Sequence, residues 1–552
     1  MWSIGWGKAE IVLPVHGLAM HGYGQPTHRA HRQRTALWAR AFCLAEAKGA
    51  DPLMICCLDT GYVTALMRTR LLELWRQRHG DCDAARFLLT CTHTHSGPGG
   101  CAHEVLYNLV TPGFVETHLT AIVTAAEQAL SLAQEQMKPA ELWSGQFSFD
   151  TETEVAWNRS LAAYRRNPET PDYRDDERHL ALDRCMRTLA VKQGGQLTAL
   201  MALFGVHATC LGNSLDAYDG DNKGYAAAAL EESLGGNAVA LFAQGSAGDV
   251  SPHYHGPGQW RRRQRLQGEA AEVNYARHNG RLQAQAAMSA AEAAQLLLSG
   301  SLDAVLSWVD FSQLRVSERY AGRPSACTSP AALGISFIEG TPVDGRGISP
   351  GLAAVLRPLA RLARWKRRRR DPSGMQRVDA AQGVKDIFID AGERRVLGLD
   401  IENLGPWASL DPLARELRRE VEAGEVAGRA LLPSVLPLQI VRLGTLAWVC
   451  APGEFTTIAG QRLLETLRPE LARCGIQDLW LCTYCNEYMG YVTTYEEYQE
   501  QAYEGGHNVF GQWTLAAFQE HFVALARQLA LPAKARQQDG RSTGRIGSTE
   551  KR

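Results

Sequence analysis

The stretch Arg86-Phe87-Leu88-Leu89-Thr90-Cys91-Thr92-His93-Thr94-His95-Ser96-Gly97-Pro98-Gly99-Gly100 joins a short apolar run to two histidines and a glycine-rich turn. A run such as "RFLLTCT", short and largely apolar, reads as a buried strand, and its polar residues fall at the carboxyl end. The same order recurs along the chain. "PLMICCLD" (52–59) precedes a helical pattern from Val63 to Arg78 that stops at Gly80, and "LTALMALFGV" (197–206), "YAAAALEESL" (225–234) and "AVALFAQ" (238–244) read as strand, helix and strand. Farther on, "LPLQIVRLGTLAWVCAP" (436–452) holds two strand runs with a tight bend at Leu443-Gly444. "IQDLWLCTY" (476–484) supplies another strand, and an amphipathic helix spans Trp513 to Leu529. This alternation predicts an α/β protein with a mixed β-sheet core flanked by helices, in a single large domain over residues 1–532.

Composition narrows the class further. Hydrophobic content of 45% and charged content of 21% are ordinary for a globular protein, and a formal net charge of -1 gives no global attraction to nucleic acid. No window approaches the roughly 18 to 20 uninterrupted apolar residues that span a bilayer. The start, "MWSIGWGKAEIVLPVHG", carries no basic stretch followed by an apolar run and a cleavage site, so a cytoplasmic location is expected. Of the 13 cysteines, Cys56, Cys57 and Cys450 lie inside apolar runs and read as reduced core thiols. Cys482 and Cys485 form a lone CxxC without the second pair a zinc finger needs. The polar tail 533–552 is expected to be disordered, and "RWKRRRRDPSG" (364–374) marks an exposed basic insertion, residues 353–376.

In open α/β sheets ligands gather beyond the carboxyl ends of strands. Four strand runs end in chemistry-bearing residues: His93 and His95 after "RFLLTCT", His207 after "LTALMALFGV", Ser251 in "GSAGDVSPH" after "AVALFAQ", and Glu454 in "APGEFTT" after "TLAWVC". Neutral imidazoles with a carboxylate are the usual set for a catalytic zinc. His-x-His on an extended chain places both rings on one side, but both need not bind the metal, and the second can instead serve as a general base. Each residue also has a plain structural reading. A strand-end histidine can be a satisfied structural group, Glu454 can stabilise the start of the helix that follows, and Ser251 can be a turn residue ahead of Pro252, since no GxSxG elbow surrounds it.

Taken together, the segments resemble the neutral/alkaline ceramidases, non-lysosomal amidases that cleave the N-acyl bond of ceramide. The likeness runs through "GKAEIVLPVHGLAMHGYGQP", "THTHSGPGG", "AWNRSLAAYRRNPE", "DGDNKGYAAAALEE", "GDVSPH", "SPAALGISFIEGTPVDGRG", "LPLQIVRLGTLAWVCAPGEFTTIAGQRL" and "GYVTTYEEYQEQAYEGGHNVFGQWTL", covering roughly residues 5 to 530. The resemblance implies Zn2+ held by His93, His207, Glu454 and Tyr491. It also implies His95 as a proton acceptor beside the metal, and Ser96 to Gly100 as a turn bringing backbone close to it. Arg159 and Tyr503 are then donors to the amide or its developing oxyanion, and Ser251 is the essential serine, either nucleophile or binder of the substrate's head-group hydroxyl, the second being preferred. The implied reaction is zinc-assisted hydrolysis of ceramide to a sphingoid base and a fatty acid. Another N-acyl lipid or acylated amine is the alternative substrate, and a non-catalytic lipid-binding protein the alternative class. Two departures stand out: family members commonly carry a carboxyl-terminal β-sandwich, whereas here a polar tail follows the catalytic region, and His253 stands where the family pattern has asparagine.

One feature is independent of the resemblance. "GLAAVLRPLARLARWKRRRR" (351–370) carries eight Lys or Arg from Arg357 onward, interleaved with Leu359, Leu362 and Trp365. Residues 357–370 therefore predict a peripheral contact with an anionic membrane, against a plain solvated insertion kinked or begun at Pro358 or a nonspecific polyanion binder.

Overall fold

The computed structural model describes residues 1–531 except 110, 112, 255–267, 346 and 407–411. The polar tail expected at 533–552 lies outside the described residues.

The apolar runs form two sheets, and helices cover them. The larger sheet has nine strands. Across it run Ala240–Ala243, Gln196–Leu203, Cys185–Gln193, Lys138–Ser148, Trp2–Glu10, Trp38–Ala45, Leu53–Leu58 and Phe87–Cys91, with Leu296–Leu298 also paired to Lys138–Ser148. Its interior pairs are antiparallel, but both ends are parallel: Gln196–Leu203 with Ala240–Ala243, and Leu53–Leu58 with Phe87–Cys91. Leu53–Leu58, Phe87–Cys91 and Ala240–Ala243 are buried along their whole length, and Gln196–Leu203 from Ala199 onward, which is why they read as continuous apolar runs rather than as alternation. The two ends of the sheet curl toward each other. Cys57 Sγ meets the Phe242 carbonyl at 3.6 Å, and Thr94 bridges to Ala208 beyond the strand ends.

The smaller sheet orders Leu302–Asp310, Val435–Leu443, Leu446–Cys450 and Asp478–Cys482, the last two parallel. Trp2, Leu88 and Leu189 of the large sheet share one buried cluster with Val441, Trp448 and Trp480 of the small one. Parallel pairing sets the function of this layout, because parallel neighbours end at the same side. The carboxyl ends of three parallel pairs therefore point at one region. Loop hydrogen bonds stitch the sheets there: Asn486 N donates to the Leu89 carbonyl at 2.8 Å, and Thr483 N to Gln244 O at 3.0 Å.

Helix boundaries follow local chemistry. The helix expected from Val63 to Arg78 runs Ala65–His79, with Thr64 Oγ1 accepting the Met67 N–H at its start and Gly80 at φ 90° ending it. The final helix runs Thr514–Leu529, as its amphipathic pattern predicts. The basic segment is a helix, Pro350–Arg370, that starts on a Ser349 cap and runs through Pro358. A second helix, Pro372–Gln382, follows after Asp371, whose side chain accepts the Gly374 N–H. Among the described residues no helix is long and apolar enough to cross a membrane, and all 13 cysteines are free.

Candidate metal centre and active site

The strand ends converge on a buried cluster of His93, His95, His207, Glu454 and Tyr491. His207 Nε2 lies 3.1 Å from Glu454 Oε2 and 3.2 Å from Tyr491 Oη, and His93 Nε2 lies 3.7 Å from Glu454 Oε2. His95 Nε2 is 3.2 Å from His93 Nε2, and one ligand atom from each of the three imidazoles falls within a common 4.8 Å. Four atoms around a zinc ion at about 2.0 Å stand roughly 3.3 Å apart, so these separations fit tetrahedral binding.

The imidazoles differ in how they are held. His93 Nδ1–H donates to the Gly61 carbonyl at 2.5 Å and His207 Nδ1–H to the Val250 carbonyl at 3.0 Å. Such bonds fix the tautomer and leave each Nε2 lone pair facing the cluster, the arrangement of a ligating histidine. His95 Nδ1 is buried with no partner among the described residues. Its ring instead rests on Gly22, at φ 131°, where an added Cβ would fall 2.4 Å from His95 Cγ.

The chain after Cys91 is not extended. His93 adopts φ 64°, and the two rings meet because the backbone turns, not because a strand repeat places them on one side. Ser96 to Gly100 does not bring backbone to the centre either. Gly97-Pro98 pairs with Met20-His21, and Gly61 and Gly22 make the close approaches.

Glu454 occupies a two-residue strand paired with Tyr491-Val492, and the next helix begins at Thr457 behind a Thr456 cap. Its carboxylate accepts hydrogen bonds from Tyr484 Oη at 3.0 Å and Tyr488 Oη at 2.5 Å. Burial opposes its ionisation, yet the fields of His93 and His207, with hydrogen bonds from His207 and Tyr488, hold it well below the usual carboxylate range. Burial pushes His93 down to about 4 and, with His93 and His207 nearby, His95 well below its ordinary value. The Tyr491 hydroxyl is raised, first by burial and then by Glu454, with Arg159 acting against both.

A second polar set adjoins the cluster. Arg159 donates to Glu504 (2.8 Å), Asp344 (3.1 Å), the Gly248 carbonyl (2.8 Å) and Tyr491 Oη (3.0 Å), which engages four of the five N–H groups a guanidinium carries. Asp344 Oδ1 accepts from Ser251 Oγ at 2.8 Å and from Thr209 Oγ1 at 2.9 Å. Ser251 Oγ also accepts the His253 N–H at 3.1 Å, and among the described residues no imidazole is hydrogen-bonded to it. His253 stacks on Tyr275 and bonds the Cys210 carbonyl at 3.0 Å through Nε2. The Tyr503 ring packs 5.4 Å from Tyr491 and 5.5 Å from the Arg159 guanidinium.

All eight residues expected at the site thus lie in one connected region. Sequence reading did not single out Asp344, Glu504, Tyr484 or Tyr488. Tyr484 and Tyr488 follow the strand Asp478–Cys482, so the strand-end rule covers them, and Tyr484 and Asn486 are strained at φ 55° and 63°. Two further buried imidazoles, His21 and His507, pack at a tilt against Tyr62 and Tyr491, and burial drives each down to about 3.

The family model described as neutral/alkaline non-lysosomal ceramidase, N-terminal, matches residues 2–397 and 420–520. The chain belongs to this family. Its hydrolase class follows from that membership. The neutral ceramidase of Pseudomonas aeruginosa is 31% identical over 539 residues, covering 95% of this chain and 72% of the relative. That of Mycobacterium tuberculosis is 29% identical, covering 96% and 77%. Among solved structures, a ceramidase complexed with C2 superposes with a TM-score of 0.77 at 28% identity, over 97% of this chain and 75% of that one. The crystal structure of the P. aeruginosa neutral ceramidase gives 0.74 at 28% identity, over 96% and 74%.

Proposed function

We propose that the chain hydrolyses the N-acyl bond of ceramide, releasing a sphingoid base and a fatty acid, with zinc held by His93, His207, Glu454 and Tyr491. The observation that carries this is the pair of imidazoles whose Nδ1–H groups are anchored to the carbonyls of Gly61 and Val250 while their Nε2 atoms face Glu454. A zinc ion bound there would polarise the scissile carbonyl and lower the pKa of water toward neutrality.

The chain's own groups supply the rest. His95 is neutral, next to the ligands and unanchored at Nδ1, which suits a proton acceptor better than a ligand. Tyr503 and the remaining Nη1–H of Arg159 are the donors for the developing oxyanion. Arg159 also orients Tyr491 and Asp344. Ser251 donates to the Asp344 carboxylate and to no imidazole among the described residues, and its role is to bind a polar head-group hydroxyl rather than to attack the carbonyl. Ceramide as substrate draws support from the relatives, which are neutral ceramidases, and from the similar ceramidase solved with C2.

Elemental analysis joined to a panel of N-acyl sphingosines and other N-acyl amines tests this. About one zinc per chain and turnover of ceramide are expected, both lost in His93→Ala. Turnover of other N-acyl amines without ceramide would replace the substrate assignment, and absence of both metal and turnover would favour a lipid-binding protein. Trapping an acyl group on Ser251 would overturn its role as a binder.

A further inference from the structure

The helix Pro350–Arg370 separates its cations by face. Arg357, Arg361, Arg364, Arg367 and Arg368 pair with Glu339, Asp386, Asp379, Asp390 and again Asp379, all acids of the same fold. These residues lie on the side turned toward the body of the protein or along its border, where Ala353 and Ala360 are buried. The opposite arc carries Val355, Leu359, Leu362 and Lys366 at i, i+4, i+7 and i+11, flanked by Trp365, Arg369 and Arg370. Its four apolar side chains are between 45% and 60% exposed. The Arg369 guanidinium sits 4.3 Å over the Trp365 ring. Lys366, Arg369 and Arg370 form no ion pair among the described residues. Beside the helix runs a groove of about 880 Å³, lined by Leu356, Leu359, Phe388, Leu397 and Leu399.

Single exposed leucines are ordinary, whereas an apolar stripe continuing into unpaired cations over an apolar groove marks an interaction surface. We propose that this face docks on an anionic lipid bilayer. Val355, Leu359, Leu362 and Trp365 enter the boundary between head groups and acyl chains, and Lys366, Arg369 and Arg370 meet lipid phosphates. Charge complementarity selects this occupant. A second copy packed parallel would set these cations against their own kind, one packed antiparallel would set them against a helix start that carries no acid, and a nucleic acid would use the cations while leaving the stripe in water.

The face is also tied to the site. Arg357 holds Glu339, which directly follows the turn Ile335–Ile338, and Phe337 of that turn packs 4.3 Å from the His507 ring. Asp344 lies in the segment between that turn and the helix. The docking proposal stands on the surface alone and does not depend on the amidase reading.

The test is flotation of the full chain with vesicles of phosphatidylcholine, alone or with about 30% phosphatidylglycerol, at two salt concentrations. Binding to the anionic vesicles, weakened by salt, is expected. The triple variant Lys366→Gln, Arg369→Gln, Arg370→Gln should lower partitioning by about 100-fold. Leu359→Glu with Leu362→Glu should abolish it, and Arg361→Gln, which removes a single cation on the helix flank, should lower it by far less than the triple variant does. Melting curves check that each variant folds, and hydrolysis of a soluble short-chain N-acyl substrate separates docking from catalysis. Equal binding to neutral vesicles, or full anionic binding by the triple variant, overturns the proposal. So does a dimer in sedimentation that the Leu359 and Leu362 changes disperse while vesicles stay unbound.

Discussion

Glu454 and Asp386 are both carboxylates facing cations or potential cations, yet they are built on opposite terms. Glu454 is 1% exposed, faces two imidazoles and accepts bonds from two tyrosines, each anchored elsewhere in the fold. Asp386 takes Arg361, whose side chain is 69% exposed, through a pair that solvent and salt can screen. Around Glu454 little can move without leaving a buried polar group unsatisfied, so geometry is fixed before any ligand arrives. Along the basic helix each pair is individually weak. Together the pairs decide which cations remain for a partner.

The largest expected effect sharpens the inner region. His95 and His93 occupy the same short stretch and their Nε2 atoms are 3.2 Å apart, so distance does not separate ligand from base. His95→Gln should cut turnover by about 10² to 10⁴-fold, the usual contribution of a general base, with zinc content unchanged. Loss of zinc in that variant would make His95 a ligand and reassign the proton acceptor. Next comes Asp344→Asn. It leaves the metal cluster intact but weakens the acceptor that joins Ser251, Thr209 and Arg159, so a fall of about 10 to 100-fold in kcat/KM with zinc retained is expected. An unchanged rate would show that Ser251 and Arg159 are positioned without it.

Why Asp344 had to be found in the structure is instructive. The sequence showed strands as short apolar runs, and it showed which residues follow them, because burial on both faces leaves a clear pattern. His93, His207, Ser251 and Glu454 were legible in that way. Tyr491, Arg159 and Tyr503 came only through resemblance, since nothing in their local pattern distinguishes them. Asp344 sits in a loop without periodicity, and its partners Arg159 and Ser251 lie 185 and 93 residues away. The turn at His93 was equally invisible, because the residues it meets, among them Ala208 bridged to Thr94, lie in a distant part of the chain.

A smaller effect probes how strictly the interior excludes charge. Burial pushes the His28 imidazole, whose ring nitrogens have no hydrogen-bond partner among the described residues, down to about 4. The folded state keeps His28 neutral while the unfolded chain protonates it below about 6.5. Its contribution to stability is therefore complete above that pH and is lost as pH falls toward 4. The stability difference between pH 7 and pH 5 should shrink by about 2 kcal/mol in His28→Leu, measured by denaturant unfolding at both values. Comparing the two pH values within one variant removes any packing cost of the substitution. An unchanged difference would mean that His28 is hydrated or charged in the folded protein.

The smallest effect belongs to the outer region and is the one that can break the contrast. Arg361→Gln removes a two-bond pair with Asp386, at 2.9 Å for each bond. Because Arg361 is mostly in solvent, the change should cost less than about 1 kcal/mol, and the cost should fall further with added salt. Asp386 would keep only its 4.0 Å approach to Arg357, so the variant should also bring a carboxylate's uncompensated charge to the helix flank. If stability instead drops by several kcal/mol, the pair fixes how the helix seats on the protein. The cations of this helix would then be a stiff framework like the one around Glu454, and the outward arc of Lys366, Arg369 and Arg370 would be set by that seating rather than left over from it.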